Sequence, residues 1–394
     1  MKKTIEQLDV RGKKVLLRVD FNVPMNEEGK ITDDTRIVAS LPTIKYLLAN
    51  GAKLIICSHL GRPEGERNLK YSLLPVAKRL AELVLNKIYF SKETVGPEAE
   101  RKASVLKSGE ILILENLRFN AGEEKNEITF SKKLAALADI YVDDAFGTAH
   151  RRHASICGVA KYLPNAVGFL MGKELNTILN VVENPERPFV VIIGGAKVSD
   201  KIYVVMNLLK KADVILIGGG MAYTFLKALG AEVGKSLVEE EKIELARQLL
   251  NEAERSGVDI ILPVDHKCAT IFSPNSPAIN VDGQNIPDDM QAMDIGPKTI
   301  RIFKKYIKNA KTLLWNGPMG VFEFQNFEVG TQKIAKAVAK SKAKSIVGGG
   351  DSIAAIKKLG HENKVYHIST GGGASLKLLE GELLPGVEVI EDME

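Results

Sequence analysis

One pattern constrains this chain more than any other. A short apolar run, rich in β-branched residues, is followed by a stretch with helical periodicity, and the pair recurs along the sequence. Residues 15–19, 53–57, 111–114 and 140–142 have the length and composition of buried strands. Residues 35–48 read as a helix, with Ile37, Leu41, Ile44, Leu47 and Leu48 on one face, and residues 73–85 read as another. The same alternation returns at residues 189–192, 214–217, 312–315, 345–347 and 365–368. Strands separated by helices call for parallel sheets with both faces covered. With 394 residues there is material for more than one core. The expected fold is therefore α/β: two Rossmann-like lobes, each a parallel sheet covered by helices, joined by a connecting helix and hinge.

The strand ends differ between the halves. In the first half the runs end in cations. Arg18 leads into Asp20 and Asn22, residues 53–57 run into Ser58-His59-Leu60-Gly61-Arg62, and residues 111–114 run into Glu115-Asn116-Leu117-Arg118. Residues 140–142 precede DDAFGTAHRRHAS, which holds His150, Arg151 and His153, while Arg36 opens the helix at 35–48. Ligands of open parallel sheets bind beyond the carboxyl ends of the strands. Any one of these arginines alone reads as a surface cation, but together on one edge they suit a small ligand with several negative charges, gripped by guanidinium forks. Asp20 and Asn22 are placed to orient a hydroxyl on it. His150 and His153 lack a third ligand at metal-binding spacing, so no metal is expected there.

In the second half the runs end in glycine. Residues 189–192 lead into IGGAKVSDK, whose Lys197 and Lys201 stand four apart and are expected to share a helix face beside free N–H groups, a phosphate site. The same stretch also fits a plain glycine turn with two solvated lysines. Gly218-Gly219-Gly220, Asn316-Gly317-Pro318, Gly348-Gly349-Gly350-Asp351-Ser352 and Ser369-Thr370-Gly371-Gly372-Gly373 end the other runs. Glycines there let backbone approach a nucleotide closely. Residues 230–236 (GAEVGKS) miss the P-loop spacing by one residue, and no GxGxxG opens a helix, which argues against a dinucleotide-dependent dehydrogenase. Asp351 is placed to hold Mg²⁺, and equally to cap a helix.

A net charge of +5 requires no nucleic-acid partner. Cys57, Cys157 and Cys268 are scattered and suit a reduced compartment. Neither an apolar signal core at the N-terminus nor a membrane-length apolar run is seen, so a cytoplasmic location is expected. Residues 168–183 form one amphipathic helix, stopped by Pro185 and Pro188, that reads as a connector.

The motifs RVDFNVP, DDTRI, SHLGRP, ENLRF, AFGTAHR, GGAKVSDK, IGGG, NGPMGVFE, GGGDS and STGGGAS stand in an order that resembles the phosphoglycerate kinase family over essentially the whole chain. The resemblance implies reversible transfer of the γ-phosphoryl of MgATP to the carboxylate of 3-phosphoglycerate, with Mg²⁺ and ATP/ADP, by a monomer without nucleic-acid or membrane partners. It implies a 3-phosphoglycerate lobe at 1–167, a hinge helix at 168–184, a nucleotide lobe at 185–380 and a tail at 381–394 that returns to the first lobe. Asp20, Asn22, Arg36, His59, Leu60, Gly61, Arg62, Arg118 and Arg151 would bind the acid. Gly195, Lys197, Lys201, Gly219, Asn316, Pro318, Glu323, Gly350, Asp351, Ser352 and Ile353 would bind the nucleotide, with Glu323 on the ribose and Asp351 at the metal. Arg36, Lys197, Gly349 and Gly373 would be catalytic. Leu117, Arg152 and the polar run His266-Lys267-Cys268 depart from the family's habit without touching these positions. A non-catalytic anion- or nucleotide-binding module is the rival. Arg36→Ala separates the two: a kinase loses most of its turnover while its thermal midpoint stays close to wild type, whereas a binding module shows no turnover in either form.

Overall fold

The computed structural model describes residues 2–393. Two compact units emerge, one formed by residues up to Asn176 together with those from Leu383 onward, the other by Thr177–Glu382.

The first unit is built on β1 (Lys14–Arg18), β2 (Lys53–Cys57), β3 (Ile88–Phe90), β4 (Ile111–Ile113), β5 (Ile140–Asp143) and β6 (Asn165–Val167), ordered β3-β4-β2-β1-β5-β6 and parallel throughout. Side chains on both faces are buried: Val15 and Leu17 point one way, Leu16 the other, and none is exposed. That explains why these strands read as continuous apolar runs. Val15, Leu17, Leu54, Ile56, Ile111 and Ile113 pack against Ile37, Ile44 and Leu47 of the helix Thr35–Ala49 and Val76 and Leu80 of the helix Leu74–Leu83. The segment after Leu383 is tied in by backbone. Gly386 N donates to Ala149 O at 2.8 Å, Lys3 N to Glu391 O at 2.9 Å, and Glu391 N to Asn165 Oδ1 at 2.8 Å.

The helix Phe169–Glu183 begins in this unit, and the boundary at Asn176 falls inside it. Two of its opening N–H groups, which have no intrahelical partner, are satisfied by the first unit. Phe169 N donates to Thr43 Oγ1 at 2.9 Å and Met171 N to Asp144 Oδ1 at 3.0 Å.

The second unit contains β7 (Phe189–Ile193), β8 (Val214–Ile217), β9 (Asp259–Ile261), β10 (Asp265–Ala269), β11 (Ile279–Asp282), β12 (Gln291–Ile295), β13 (Thr312–Asn316), β14 (Lys344–Gly348) and β15 (His367–Ile368). Six of these form a parallel sheet in the order β15-β14-β13-β7-β8-β9. Trp315, Leu313, Val190 and Ile192 pack against Phe303 and Ile307 of the helix Pro297–Asn309 and Ile334 and Val338 of the helix Val329–Lys340. The sequence pattern did not foretell the remaining sheet, β11-β10-β12, which is antiparallel. Its central strand reads Asp-His-Lys-Cys-Ala, too polar to register as an apolar run. Strand β15 covers less than the expected residues 365–368.

Asp294 of β12 is fully buried and accepts from Gly330 N at 2.6 Å and Ile295 N at 2.9 Å, fastening the helix Val329–Lys340 to the small sheet. Burial pushes its carboxyl up to about 7, against the pull of those two N–H bonds. A raised folded-state value gives stability that is full below the ordinary carboxylate value and is lost as pH rises towards 7. Urea unfolding of wild type and Asp294→Asn between pH 5 and 8 should therefore show wild type gaining on the variant as pH falls. A pH-independent gap would contradict the assignment.

Candidate functional site

In the first unit the strand order brings β4, β2, β1 and β5 side by side, so the segments leaving their carboxyl ends meet. Asp20 and Asn22 come after β1, His59 to Arg62 after β2, Arg118 after β4 and Arg151 after β5. Arg36, in the first turn of the helix Thr35–Ala49, reaches across to Asp20 Oδ2 at 2.6 Å. Asp20 Oδ1 lies 3.9 Å from His59 Nδ1. Asn22 Oδ1 accepts from Gly61 N at 2.9 Å, and Arg118 donates from Nη1 to Gly61 O at 2.8 Å. Leu60 is clamped by Asn116, whose Oδ1 takes the Leu60 N–H at 3.2 Å and whose Nδ2 gives to Leu60 O at 2.7 Å. The loop after β2 is thus held by side chains from the loops after β1 and β4.

Charge in this cluster is overwhelmingly positive. Burial, then Arg18, Arg118, Arg151 and Arg36, hold His59 well below the ordinary imidazole range. His153 falls to about 3 through burial, then Arg118, Arg18 and Arg151. Burial also lowers Arg118 and Arg151, and Asp20 is the leading opposing influence on Arg151. Arg118 Nε stands 3.0 Å from Glu124 Oε1, without the alignment of a hydrogen bond. Arg62 is exposed and bears on the cluster through its field at Arg151. Several guanidinium groups around one neutral imidazole form a site that favours a compact polyanion.

In the second unit the glycine loops leave β7, β8, β13, β14 and β15, five strands adjacent in the sheet. They crowd one another. A Cβ at Gly194 would sit 1.9 Å from Pro318 O, and one at Gly219, whose φ is +70°, would sit 2.6 Å from Gly195 O. At Gly219 only glycine allows both the positive φ and the approach. Ser352 Oγ accepts the Gly317 N–H at 2.7 Å, and Trp315 Nε1 donates to Gly317 O at 2.8 Å, so the loop after β13 is gripped from two sides.

Lys197 and Lys201 do not share a helix face. The helix there is Ile202–Leu208, Lys201 is its N-cap residue, and Lys197 lies exposed in the loop before it, because Gly194 and Gly195 delay the turn into helix. Lys201 Nζ donates to Asn316 Oδ1, and burial lowers its pKa while Asp200, Glu380 and Asp351 oppose that shift. Asp351 is not a cap either: Gly349 caps the helix Gly350–Lys358 and Asp351 lies in its first turn. Burial and then Glu323 raise the Asp351 carboxyl, with Lys201 opposing.

Beside these loops lies a cavity of about 520 Å³, lined by Gly195, Gly219, Pro318, Glu323 and Asp351 among the expected residues. Lys235, Leu237, Tyr223, Phe272 and Met293 also line it, although no pattern in the sequence marks them for the site. Residues 230–236, which fail as a P-loop, contribute Lys235 as a cavity wall: Lys235 N donates to Met290 O at 2.7 Å and Ser236 Oγ accepts from Ala292 N at 2.9 Å. Among the described residues no group of three or more His, Cys, Asp or Glu side chains is arranged to hold a metal ion. A lone carboxylate such as Asp351, completed by water and phosphate oxygens, is nevertheless a donor set that suits Mg²⁺.

A family model described as phosphoglycerate kinase matches residues 5–382. The chain belongs to the phosphoglycerate kinase family. It is 54% identical over 394 residues to a phosphoglycerate kinase of Clostridium botulinum (strain Okra / Type B1), covering 99% of both chains. Against that of Clostridium tetani the identity is 52%, over 99% of this chain and 98% of the relative. Among solved structures, phosphoglycerate kinase from Coxiella burnetii superposes with a TM-score of 0.89 at 40% identity, and that from Pyrococcus horikoshii OT3 with 0.81 at 37%, each covering 99% of this chain and 98% of the other. The chain is thus a kinase of glycolysis, a phosphotransferase with a carboxyl group as acceptor.

Phe272 is 58% exposed and tilts onto Phe324 with ring centroids 5.1 Å apart. An aromatic ring on a cavity wall offers a planar ligand about 1 kcal/mol of contact beyond simple burial. Phe272→Ala should therefore weaken ADP binding about fivefold or more in calorimetric titration, with an unchanged melting curve because so little of the ring is buried in the core.

Proposed function

We propose that the two sheet edges divide the reaction between them: the cationic edge of the first unit takes 3-phosphoglycerate and the glycine edge of the second takes the nucleotide. The observation that carries this is the convergence of His59, Arg118 and Arg151 at the ends of parallel strands, with Arg36 reaching in from the helix Thr35–Ala49 to the carboxylate of Asp20. Arg62, Arg118 and Arg151 would grip the phosphate, with Leu60 and Gly61 shaping the loop. Asp20 and Asn22 would orient the hydroxyl. Asn22 already spends its Oδ1 on Gly61, so its amide N–H groups remain for the ligand.

On the nucleotide side, Gly195, Gly219, Asn316, Pro318 and Glu323 would line the adenosine pocket, with Glu323 on the ribose. Lys201, together with the segment Gly350, Ser352 and Ile353, would meet the phosphates. Asp351 would hold Mg²⁺ of the bound MgATP, whose charge neutralises phosphate oxygens. The helix Phe169–Glu183 would connect the two lobes. We read the enzyme as a cytoplasmic monomer. Among the described residues no helix is long and apolar enough to cross a membrane.

The step itself needs little from the protein beyond placement and charge. A carboxylate oxygen of the acid attacks the γ-phosphorus, the bond to the bridging oxygen of ADP breaks, and an acyl phosphate results. No general base is required, because the acceptor carboxylate is already ionised near neutral pH. Arg36, Lys197 and the backbone N–H groups of Gly349 and Gly373 would stabilise charge on the transferring group.

Hydroxylamine converts acyl phosphates to hydroxamates and so reports the product directly. Protein with MgATP, 3-phosphoglycerate and hydroxylamine should give hydroxamate that depends on both substrates and falls by two orders of magnitude or more in Lys197→Ala, a loss of roughly 3 kcal/mol in transition-state stabilisation. Absence of hydroxamate from folded wild-type protein would remove this reading.

A further inference from the structure

Behind the cationic edge lies a chain of buried polar contacts. Arg18 closes β1, yet it is fully buried. Its Nε donates to Ser155 Oγ at 2.9 Å. That hydroxyl donates to Glu123 Oε1 at 2.6 Å, while Ser155 N donates to Glu123 Oε2 at 2.9 Å. Ser155 and Glu123 are themselves fully buried. On its other side, Arg18 Nη2 lies 3.3 Å from His59 Nδ1.

A guanidinium group has donors only. His59 Nδ1 must therefore accept, and the ring proton must stand on Nε2. Asp20 Oδ1, at 3.9 Å from the same Nδ1, is too far to draw a proton there. The other oxygen of Asp20 is engaged by Arg36.

We propose that Glu123 and Ser155 are positioning residues, which hold Arg18 against His59 Nδ1 so that His59 serves the anion site as an Nε2–H donor and not as a cation. The proposal rests on the reading that His59 contacts 3-phosphoglycerate. Its physical logic lies in what faces the ring. Arg18 comes from β1, Arg36 from the helix Thr35–Ala49, Arg118 from the loop after β4 and Arg151 from the loop after β5, and against these four guanidinium groups stands the carboxylate of Asp20. A second proton on the imidazole would meet Arg18 head-on. Glu123 supplies counter-charge to Arg18 from the far side, through a hydroxyl, and so leaves the ligand-facing side of the cluster positive. His59 then contributes direction to ligand binding, and the arginines contribute charge.

The test uses the full-length protein with ¹⁵N-labelled histidine and long-range ¹H–¹⁵N correlation spectra between pH 5.5 and 8. His59→Gln identifies the His59 signals among the six histidines. The expected pattern is the Nε2–H tautomer, unchanged across the range. A titration midpoint near the ordinary imidazole value, or an Nδ1–H pattern, overturns the proposal. In Ser155→Ala and Glu123→Gln the tautomer should become mixed and KM for 3-phosphoglycerate should rise about tenfold, the loss of one charge-assisted hydrogen bond, with a smaller change in kcat. Folded variants that keep both the tautomer and KM overturn the positioning role, and where neither variant folds the wild-type spectrum decides the tautomer. Added 3-phosphoglycerate should move the His59 Nε2 resonance. The Nε2–H pattern with no response to ligand would keep the tautomer and remove the reading that His59 touches the acid.

Discussion

A parallel sheet sends every strand's carboxyl end to the same edge, and most of what this protein does depends on that constraint. Because crossover helices must return the chain to the start of the next strand, the residue after each strand is delivered to a common line. Arg118, His59, Asp20 and Arg151 are far apart in sequence and neighbours in space for this reason alone. The same rule sets the glycine loops after β7, β8 and β13 against one another in the second unit, close enough that Gly194 and Gly219 admit no side chain.

Concentrating positive charge is unfavourable unless counter-charge is near, and the first unit arranges it in layers. Asp20 pairs with Arg36 on the ligand side, Glu124 stands beside Arg118, and Glu123 answers the buried Arg18 through Ser155. Burial raises the Glu123 carboxyl, while Arg18 and the two bonds from Ser155 pull it down, so the pair is stable only as a connected network. The excess positive charge that remains is what a polyanionic ligand would neutralise.

Rigidity in the second unit comes from contacts of another kind. Its loops are shaped by close backbone approach, and the loop after β13 also by single hydrogen bonds, one accepted by Ser352 Oγ from Gly317 N and one donated by Trp315 Nε1 to Gly317 O, so their backbone keeps fixed directions. Fixed dipoles of this sort act on phosphate oxygens without reorganising. Lys201, half-buried and tied to Asn316, adds one placed cation to them.

Much of this is legible in the order of the residues. Apolar runs buried on both faces announce parallel strands, and the residues after them are read off directly, which is why the α/β architecture and the two contrasting edges emerge from the sequence. The antiparallel sheet does not, because β10 is polar and its burial depends on neighbours rather than on its own composition. Cavity residues such as Phe272 and Lys235 are also hidden, since they come from loops whose positions no periodicity encodes. Local pattern sets Lys197 and Lys201 on one helix face, whereas the glycines before them delay the helix until Ile202. The sequence by itself determined most strands of the two parallel sheets, though not the short β3, β6 and β9, together with their parallel course and the chemistry at their ends, because these follow from nearest-neighbour sterics and burial. Tertiary structure alone decided strand order, the walls of the cavity and the contact of Arg18 with His59 Nδ1, because each depends on contacts between residues that the chain places tens of positions apart.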